Sequence, residues 1–254
     1  MSFRRTLGLI GTLFAASALA QSESTPATVI AAEEPAAAAV SELTEAHGPS
    51  VPGDATAGQS KSAVCAACHG LDGNAADPQY PKLAGQHERY IARHLGLFKS
   101  GERNNAIMLG FSATLSPQDM RDIGAYFASQ KALPGMADDT PVSEGEYAGM
   151  KFYQIGEKLY RQGDAARGIP ACTGCHGISG SGNPGPAYPH LAGQHAPYVV
   201  AMLNAYREGA VFGKGDNANT VMSGVAKYLS DQEIAALASY IEGLHFDAGT
   251  AGSK

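Results

Sequence analysis

Cys65-Ala-Ala-Cys68-His69-Gly70 returns 107 residues later as Cys172-Thr-Gly-Cys175-His176-Gly177. The chain has 4 cysteines, all in these two stretches, so none is left for a separate disulfide or a free thiol. Downstream of each motif the likeness continues. Tyr80-Pro81-Lys82-Leu83-Ala84-Gly85-Gln86-His87 returns as Tyr188-Pro189-His190-Leu191-Ala192-Gly193-Gln194-His195 at an offset of 108, and Tyr90 falls on Tyr198. Met108, Leu115 and Tyr126 fall on Met222, Leu229 and Tyr240 at an offset of 114. Two long copies on either side of a Pro/Gly/Asp-rich stretch from Pro134 to Gly145 describe a duplicated domain, whereas a solenoid needs more and shorter repeats.

The hydrophobic periodicity within each copy is helical. Ile91, Leu95 and Phe98 share one helix face. Ser116-Pro117-Gln118-Asp119 opens a second helix with a cap, a proline at the first helical position and an acid at the third, and that helix is expected to bury Met120, Ile123 and Phe127. In the second copy Ser230-Asp231-Gln232-Glu233 is a capping box before Ile234, Leu237 and Ile241. Alternating β-branched runs are scarce, and glycine and proline fill the gaps. The expectation is all-α, with three or four short helices per unit on long loops. Units of this size hold too little apolar material to stand without a covalent or metal staple.

The Cys-x-x-Cys-His pattern supplies the staple. Two thiols three positions apart add to the vinyl groups of a haem, and the histidine that follows ligates its iron. A structural zinc site needs four ligands, but each unit offers only Cys-Cys-His, with no partner pair at finger or ribbon spacing. A redox dithiol needs a βαβ setting that the pattern lacks, and a disulfide across two residues is strained. The expected cofactors are therefore two covalently bound haem c groups, tethered through Cys65 and Cys68 in one unit and Cys172 and Cys175 in the other. His69 and His176 are the expected axial ligands.

For the opposite face of each iron, only Met108 and Met222 among the 7 methionines coincide in the repeat, in segments read as loops before the last helix. Met120 aligns with Ile234 and is read as core. His94, aligned with Met202, is a rival ligand in the first unit, and His87 with His195 would serve a bis-histidine scheme, although helix capping accounts for that pair equally well. A thioether is a soft donor that favours ferrous iron, so His/Met ligation raises the potential above a bis-histidine site. Filled axial positions favour outer-sphere electron transfer and argue against catalysis. Arg103, Gln86 and Gln194 are candidate neighbours of the haem carboxylates, with ordinary solvated polar residues as the competing reading.

Ahead of the repeat, Arg4 and Arg5, the apolar run from Leu7 and the small residues Ala18-Leu19-Ala20 read as a cleaved export signal over residues 1–20. Residues 21–52, rich in Ala and Pro with five glutamates and no basic residue, read as a disordered leader with a reach on the order of 30 Å. The expected divisions are a first domain at 53–137, a linker at 138–145 and a second domain at 146–254. With 18 basic and 24 acidic residues and no basic block, the charge balance argues against a nucleic-acid partner and for protein partners. No apolar run reaches the roughly 20 residues of a membrane-spanning helix.

Together the two haem motifs, the Tyr-Pro-x-Leu-Ala-Gly-Gln-His repeat and the methionine segments resemble the cytochrome c4 family, dihaem class I c-type cytochromes, from about Gly53 to Phe246. The resemblance implies two tandem class I cytochrome c domains related by pseudo-twofold symmetry, with His/Met ligation by His69 and Met108, and by His176 and Met222. It also implies that the carbonyls of Pro81 and Pro189 orient the two histidines. As partners it implies the bc1 complex as donor and terminal oxidases, notably of the cbb3 type, as acceptors, in the periplasm, with haem-attachment machinery acting during maturation. The acidic leader lies outside that resemblance and leaves peripheral membrane association open. Two further readings are an electron-accepting subunit of a flavocytochrome-type (sulfide) dehydrogenase and a dihaem peroxidase.

Overall fold

Each unit is organised by a crossing of its first and last described helices. Residues 50–215 and 218–245 are described in the computed structural model, and all of them belong to one compact body. The expected signal peptide and the leader up to residue 49 lie outside them. The first unit contains α1 (Ala55–Lys61), a 3₁₀ turn (Ala63–Cys65), α2 (Ala66–His69), α3 (Glu88–Lys99), α4 (Ala106–Ser112) and α5 (Pro117–Ala128). The second repeats the order with α6 (Phe152–Gln162), a 3₁₀ turn (Ala165–Arg167), α7 (Thr173–His176), α8 (Ala196–Arg207), α9 (Val221–Ala226) and α10 (Asp231–Gly243). Extended structure among the described residues amounts to isolated bridges such as that of Pro141 with Lys151.

The capping signals act where the sequence places them. Ser116 accepts from the Asp119 amide and Asp119 reaches back to the Ser116 amide, with Pro117 at the first turn of α5. Ser230 and Glu233 form the same reciprocal pair at the start of α10. These side chains satisfy amides that have no partner inside the helix.

The crossings depend on two glycines. A Cβ on Gly58 would stand 1.9 Å from the Asp122 carbonyl oxygen, and one on Gly156 would stand 2.1 Å from that of Ala236. Asp122 and Ala236 correspond in the repeat, so α1 meets α5 and α6 meets α10 backbone to backbone at the same point. Around the first crossing Ile91, Leu95, Met120, Ile123 and Phe127 form the core; around the second, Ile155, Leu159, Tyr160, Leu203, Ile234 and Leu237. Met120 and Ile234 are 2% and 1% exposed, the packing role expected of an aligned pair of apolar side chains.

Polar anchors tie the same helices down. In the first unit Lys61 bridges Asp119 at 2.7 Å and Asp122 at 2.5 Å. In the second, buried Glu233 accepts from the Tyr147 hydroxyl (2.7 Å), from the Ser230 amide (2.9 Å) and from the Arg167 guanidinium. These bonds hold its carboxyl at about 2, against the opposing effect of burial. The stretch after the first unit runs along the second: the Gly135 amide donates to Glu242 O, the Asp138 amide to Ser239 Oγ, and Val142 packs into the second core.

α3 is buried from Ile91 through Phe98, not only along the Ile91–Leu95–Phe98 stripe, because its second face is covered too. Among the described residues, no helix is long and apolar enough to cross a membrane.

Candidate haem sites

The motif cysteines ride on single helical turns. Cys65 precedes α2, which carries Cys68 and His69, and Cys172 precedes α7, which carries Cys175 and His176. An i, i+3 spacing on such a turn brings both thiols to one side. Each turn ends at a glycine with positive φ, Gly70 at 79° and Gly177 at 75°, where an L side chain is disfavoured. All four cysteines are unbridged. Burial raises the pKa of Cys65, and that of Cys172 to about 11. This is opposite to the depressed thiol pKa of a redox-active dithiol.

Both motif histidines are buried, 7% and 6% exposed. His69 Nδ1 lies 2.8 Å from the Pro81 carbonyl oxygen, and His176 Nδ1 lies 3.0 Å from that of Pro189. A carbonyl can only accept, so Nδ1 carries the proton and Nε2 keeps its lone pair. Burial lowers the pKa of both rings, against the raising effect of the carbonyl bond. The result is a neutral, oriented imidazole, the form that binds iron.

Met108 and Met222 lie in the short helices α4 and α9, not in the loops the sequence suggested. The Asn105 side chain caps α4 by accepting from the Met108 amide at 3.0 Å. Met108 packs, partly buried, on the apolar cluster that also receives Cys65 and Leu83. Met222 packs on the cluster that receives Cys172 and Leu191. In each unit a thioether and a motif cysteine therefore flank one apolar wall. Two unbridged thiols, a neutral buried imidazole and that wall suit a covalently attached haem.

The other sequence candidates sit at the seam between the units. Gln86 Oε1 accepts from the His190 amide (2.9 Å) and the His87 amide (3.0 Å), while its Nε2 donates to His190 O (3.0 Å). Gln194 mirrors it: Oε1 accepts from the amides of Lys82 (2.9 Å) and His195 (3.0 Å), and Nε2 donates to Lys82 O (2.9 Å). The glutamines are thus reciprocal clamps rather than solvated residues, and both amide groups already have backbone partners. Lys82 and His190 directly follow the prolines whose carbonyls hold the histidines, so each unit fixes the other's histidine loop.

His195 Nε2 reaches Ala75 O across the seam at 2.8 Å, and neither His87 nor His195 caps its helix with its side chain. His94 Nδ1 meets Arg103 Nη1 at 2.8 Å. The sequence did not reveal this seam cluster of Arg93, His94, Arg103, Tyr198, Met202 and Phe212. Its members His94 and Arg103 stand out there only separately, as a rival ligand and as a neighbour of the haem carboxylates.

Two repeated Cys-Cys-His sites on helical units define a dihaem c-type cytochrome. The cytochrome c family profile matches residues 55–131 and again 153–245. The cytochrome c4 of Pseudomonas aeruginosa is 49% identical over 193 residues, covering 76% of this chain and 90% of that protein. The chain belongs to the cytochrome c4 family. The crystal structure of reduced cytochrome c4 from Pseudomonas stutzeri superposes with a TM-score of 0.67 at 45% identity, over 76% of this chain and all of that one. The thiosulfate dehydrogenase electron acceptor of Stutzerimonas stutzeri is 37% identical over 178 residues, 70% of this chain and 77% of that protein. The chain accordingly carries two covalent haem c groups, at Cys65/Cys68 and Cys172/Cys175, and acts in electron transfer.

Proposed function

We propose that this cytochrome is a periplasmic shuttle that takes electrons from the bc1 complex and delivers them to terminal oxidases, with the cbb3 type as the principal acceptor. The domains are taken as 53–137 and 146–254 with a linker at 138–145, behind a cleaved signal at 1–20. His69 and Met108 would hold the first iron, and His176 and Met222 the second, with Pro81 and Pro189 orienting the histidines. The bound haem supplies a one-electron couple. The polypeptide keeps the histidine neutral, covers one side of the site with apolar side chains and fixes both loops through the seam.

The observation that supports this reading is the doubled His–Pro carbonyl bond in units whose apolar clusters each receive a methionine and a motif cysteine. Histidine and methionine on the two faces of the iron would leave outer-sphere electron transfer as its chemistry. Close in sequence to the motif histidine and to the methionine, each unit exposes apolar side chains: Leu71 and Ile107 in the first unit are 79% and 63% exposed, and Ile178 and Val221 at the equivalent positions are 68% and 48% exposed. Apolar side chains exposed at these positions suit brief docking to another redox protein.

Potentiometric titration with absorption spectra tests the ligands. Met108→Ala and Met222→Ala should each lower one midpoint and remove half of the far-red sulfur-to-iron band. Carbon monoxide should bind the reduced variants quickly and the reduced wild type slowly. Unchanged spectra in both variants would refute the assignment. A second reading, electron acceptor of a sulfur-compound dehydrogenase, is favoured by the likeness to the thiosulfate dehydrogenase electron acceptor. Stopped-flow reduction by purified bc1 complex and by thiosulfate dehydrogenase, compared side by side, separates the two.

A further inference from the structure

Two histidines from different units meet on one oxygen atom. Gln86 Oε1 accepts from the His87 amide at 3.0 Å and from the His190 amide at 2.9 Å, so the two backbones stand side by side across the seam. His190 Nε2 lies 3.1 Å from the Ala192 carbonyl oxygen, which can only accept, so that nitrogen carries a proton. His87 Nε2 is buried and has no hydrogen-bond partner among the described residues. A neutral ring can leave this nitrogen as a bare lone pair. An imidazolium has a proton on both nitrogens, so charging His87 puts a donor without an acceptor into the seam.

The mirrored junction is built from other residues. Gln194 Oε1 binds the amides of Lys82 and His195, Lys82 standing at the repeat position of His190 and His195 at that of His87. A carboxylate is at hand there. Glu242 Oε1 lies 3.6 Å from His195 Nδ1, and it opposes the lowering of the Lys82 pKa by burial. The Lys82 ammonium itself donates to Leu133 O at 2.7 Å. At the offset of 114, Glu242 becomes Ala128, so the His87–His190 junction lacks this acid. The other charged groups around it are engaged elsewhere. Glu88 accepts from Arg121 and from the Gly53 amide, Arg89 Nη1 donates to Gly185 O at 2.8 Å, and exposed His245 lies 2.9 Å from Gly243 O through Nδ1. Among the described residues, no carboxylate forms an ion pair with His87 or His190.

We infer that His87 and His190 form a proton-operated latch between the units: neutral, they let the seam close, and charged, they part it. Burial lowers the pKa of both rings against the raising effect of nearby backbone groups, Ser181 among them, and His87 lowers that of His190 further. In an open seam, water restores the ordinary value near 6.5. The closed form therefore binds fewer protons than the open one. Its stability is complete above about 6.5 and is lost as the pH falls from there towards the depressed values. Once one ring is charged, the second meets a like charge. The latch stands apart from the proposed donor and acceptor, since it belongs to the junction alone. Its opening loosens the hold of Gln86 on the loop that carries Pro189.

The test uses the full-length reduced holoprotein. Hydrogen exchange at the His190 amide, corrected for the intrinsic effect of pH, reads how often the seam opens. Each histidine that takes up a proton on opening adds up to about tenfold per pH unit, so the wild type should open at least about tenfold more often at about pH 5.5 than at about pH 7.5. His87→Gln and His190→Gln should each flatten this dependence, and the double variant should abolish it. His195→Gln should leave it at least as steep, because Glu242 stands beside that ring to receive the charge. Glu233 loses its contribution only below about 4.5, outside this range. Proton NMR of the ring Cε1–H signals in the wild type should give both latch histidines midpoints below the ordinary value, and it serves if the variants do not fold. A wild type whose opening changes less than about twofold across the range, or a double variant as steep as the wild type, would overturn the proposal. So would ring signals that titrate at or above about 6.5.

Discussion

Replacing Gln86 by alanine would strip partners from three backbone groups at once: the amide of His87 and the amide and carbonyl of His190. Gln86 is 6% exposed, so water replaces these bonds poorly while the units stay together. At about 1 kcal/mol for each group that loses its bond, the seam should weaken by about 2–4 kcal/mol. With roughly 1.4 kcal/mol per tenfold, opening should become about thirty- to several-hundredfold more frequent. Hydrogen exchange followed by mass spectrometry or NMR reads this directly at the His190 amide, whose bond crosses the seam. The geometry also predicts a crossed effect. His190 follows Pro189, whose carbonyl holds His176, so Gln86→Ala should shift the midpoint of the second haem although the substitution lies in the first unit. Gln194→Ala should act in reverse, on the Lys82 amide and the first haem. Exchange at His190 within threefold of wild type, with both midpoints unchanged, would refute the clamp.

Other outcomes follow from single contacts. Gly156→Ala would force a methyl group against the Ala236 carbonyl and should cost about 3 kcal/mol in denaturant unfolding; a loss below 0.5 kcal/mol, on the order of an ordinary surface change, would contradict the crossing. Glu233 has its pKa depressed from 4.5 to about 2, so it contributes stability that is complete above its unfolded value and is lost as the pH falls from about 4.5 towards 2. Glu233→Gln should therefore lose about 1–2 kcal/mol at neutral pH, its Arg167 partner being partly solvated, and show a flatter acid limb in thermal melts recorded across that window. Cys172→Ala combined with Cys175→Ala should halve the covalent haem per chain by pyridine spectra and leave the first site loaded. Leu71→Glu together with Ile178→Glu should slow electron exchange with a partner protein roughly tenfold in stopped flow while leaving the midpoints in place.

The parts of this molecule legible in its sequence are those set by local spacing. Ser116 and Ser230 announced their helices because a cap needs only residues three positions apart. The cysteine motif announced its cofactor because both thiols and the histidine lie within five residues. Met108 and Met222 emerged from the repeat, but their helices did not, since segments as short as Ala106–Ser112 and Val221–Ala226 carry too little periodicity to stand out. Gln86 and Gln194 read as neighbours of the haem carboxylates or as solvated residues, and not as clamps, because their partners are backbone groups 104 and 112 positions away. The buried charge of α3 was obscured for a similar reason: Arg93 and His94 find partners in residues distant in the chain, such as Phe212 and Arg103. Long-range polar pairing leaves no mark on the pattern of apolar residues.

The glutamine clamp has a consequence for assembly. A patch in which one side chain grips the partner's backbone and is gripped in return is self-complementary, the condition for an isologous dimer. A single unit bearing this loop would have the means to pair with its own twin. Joined in one chain, the halves are free to differ, and here arginine and histidine stand on one side of the junction where alanine and methionine stand on the other, a polarity that identical subunits cannot have.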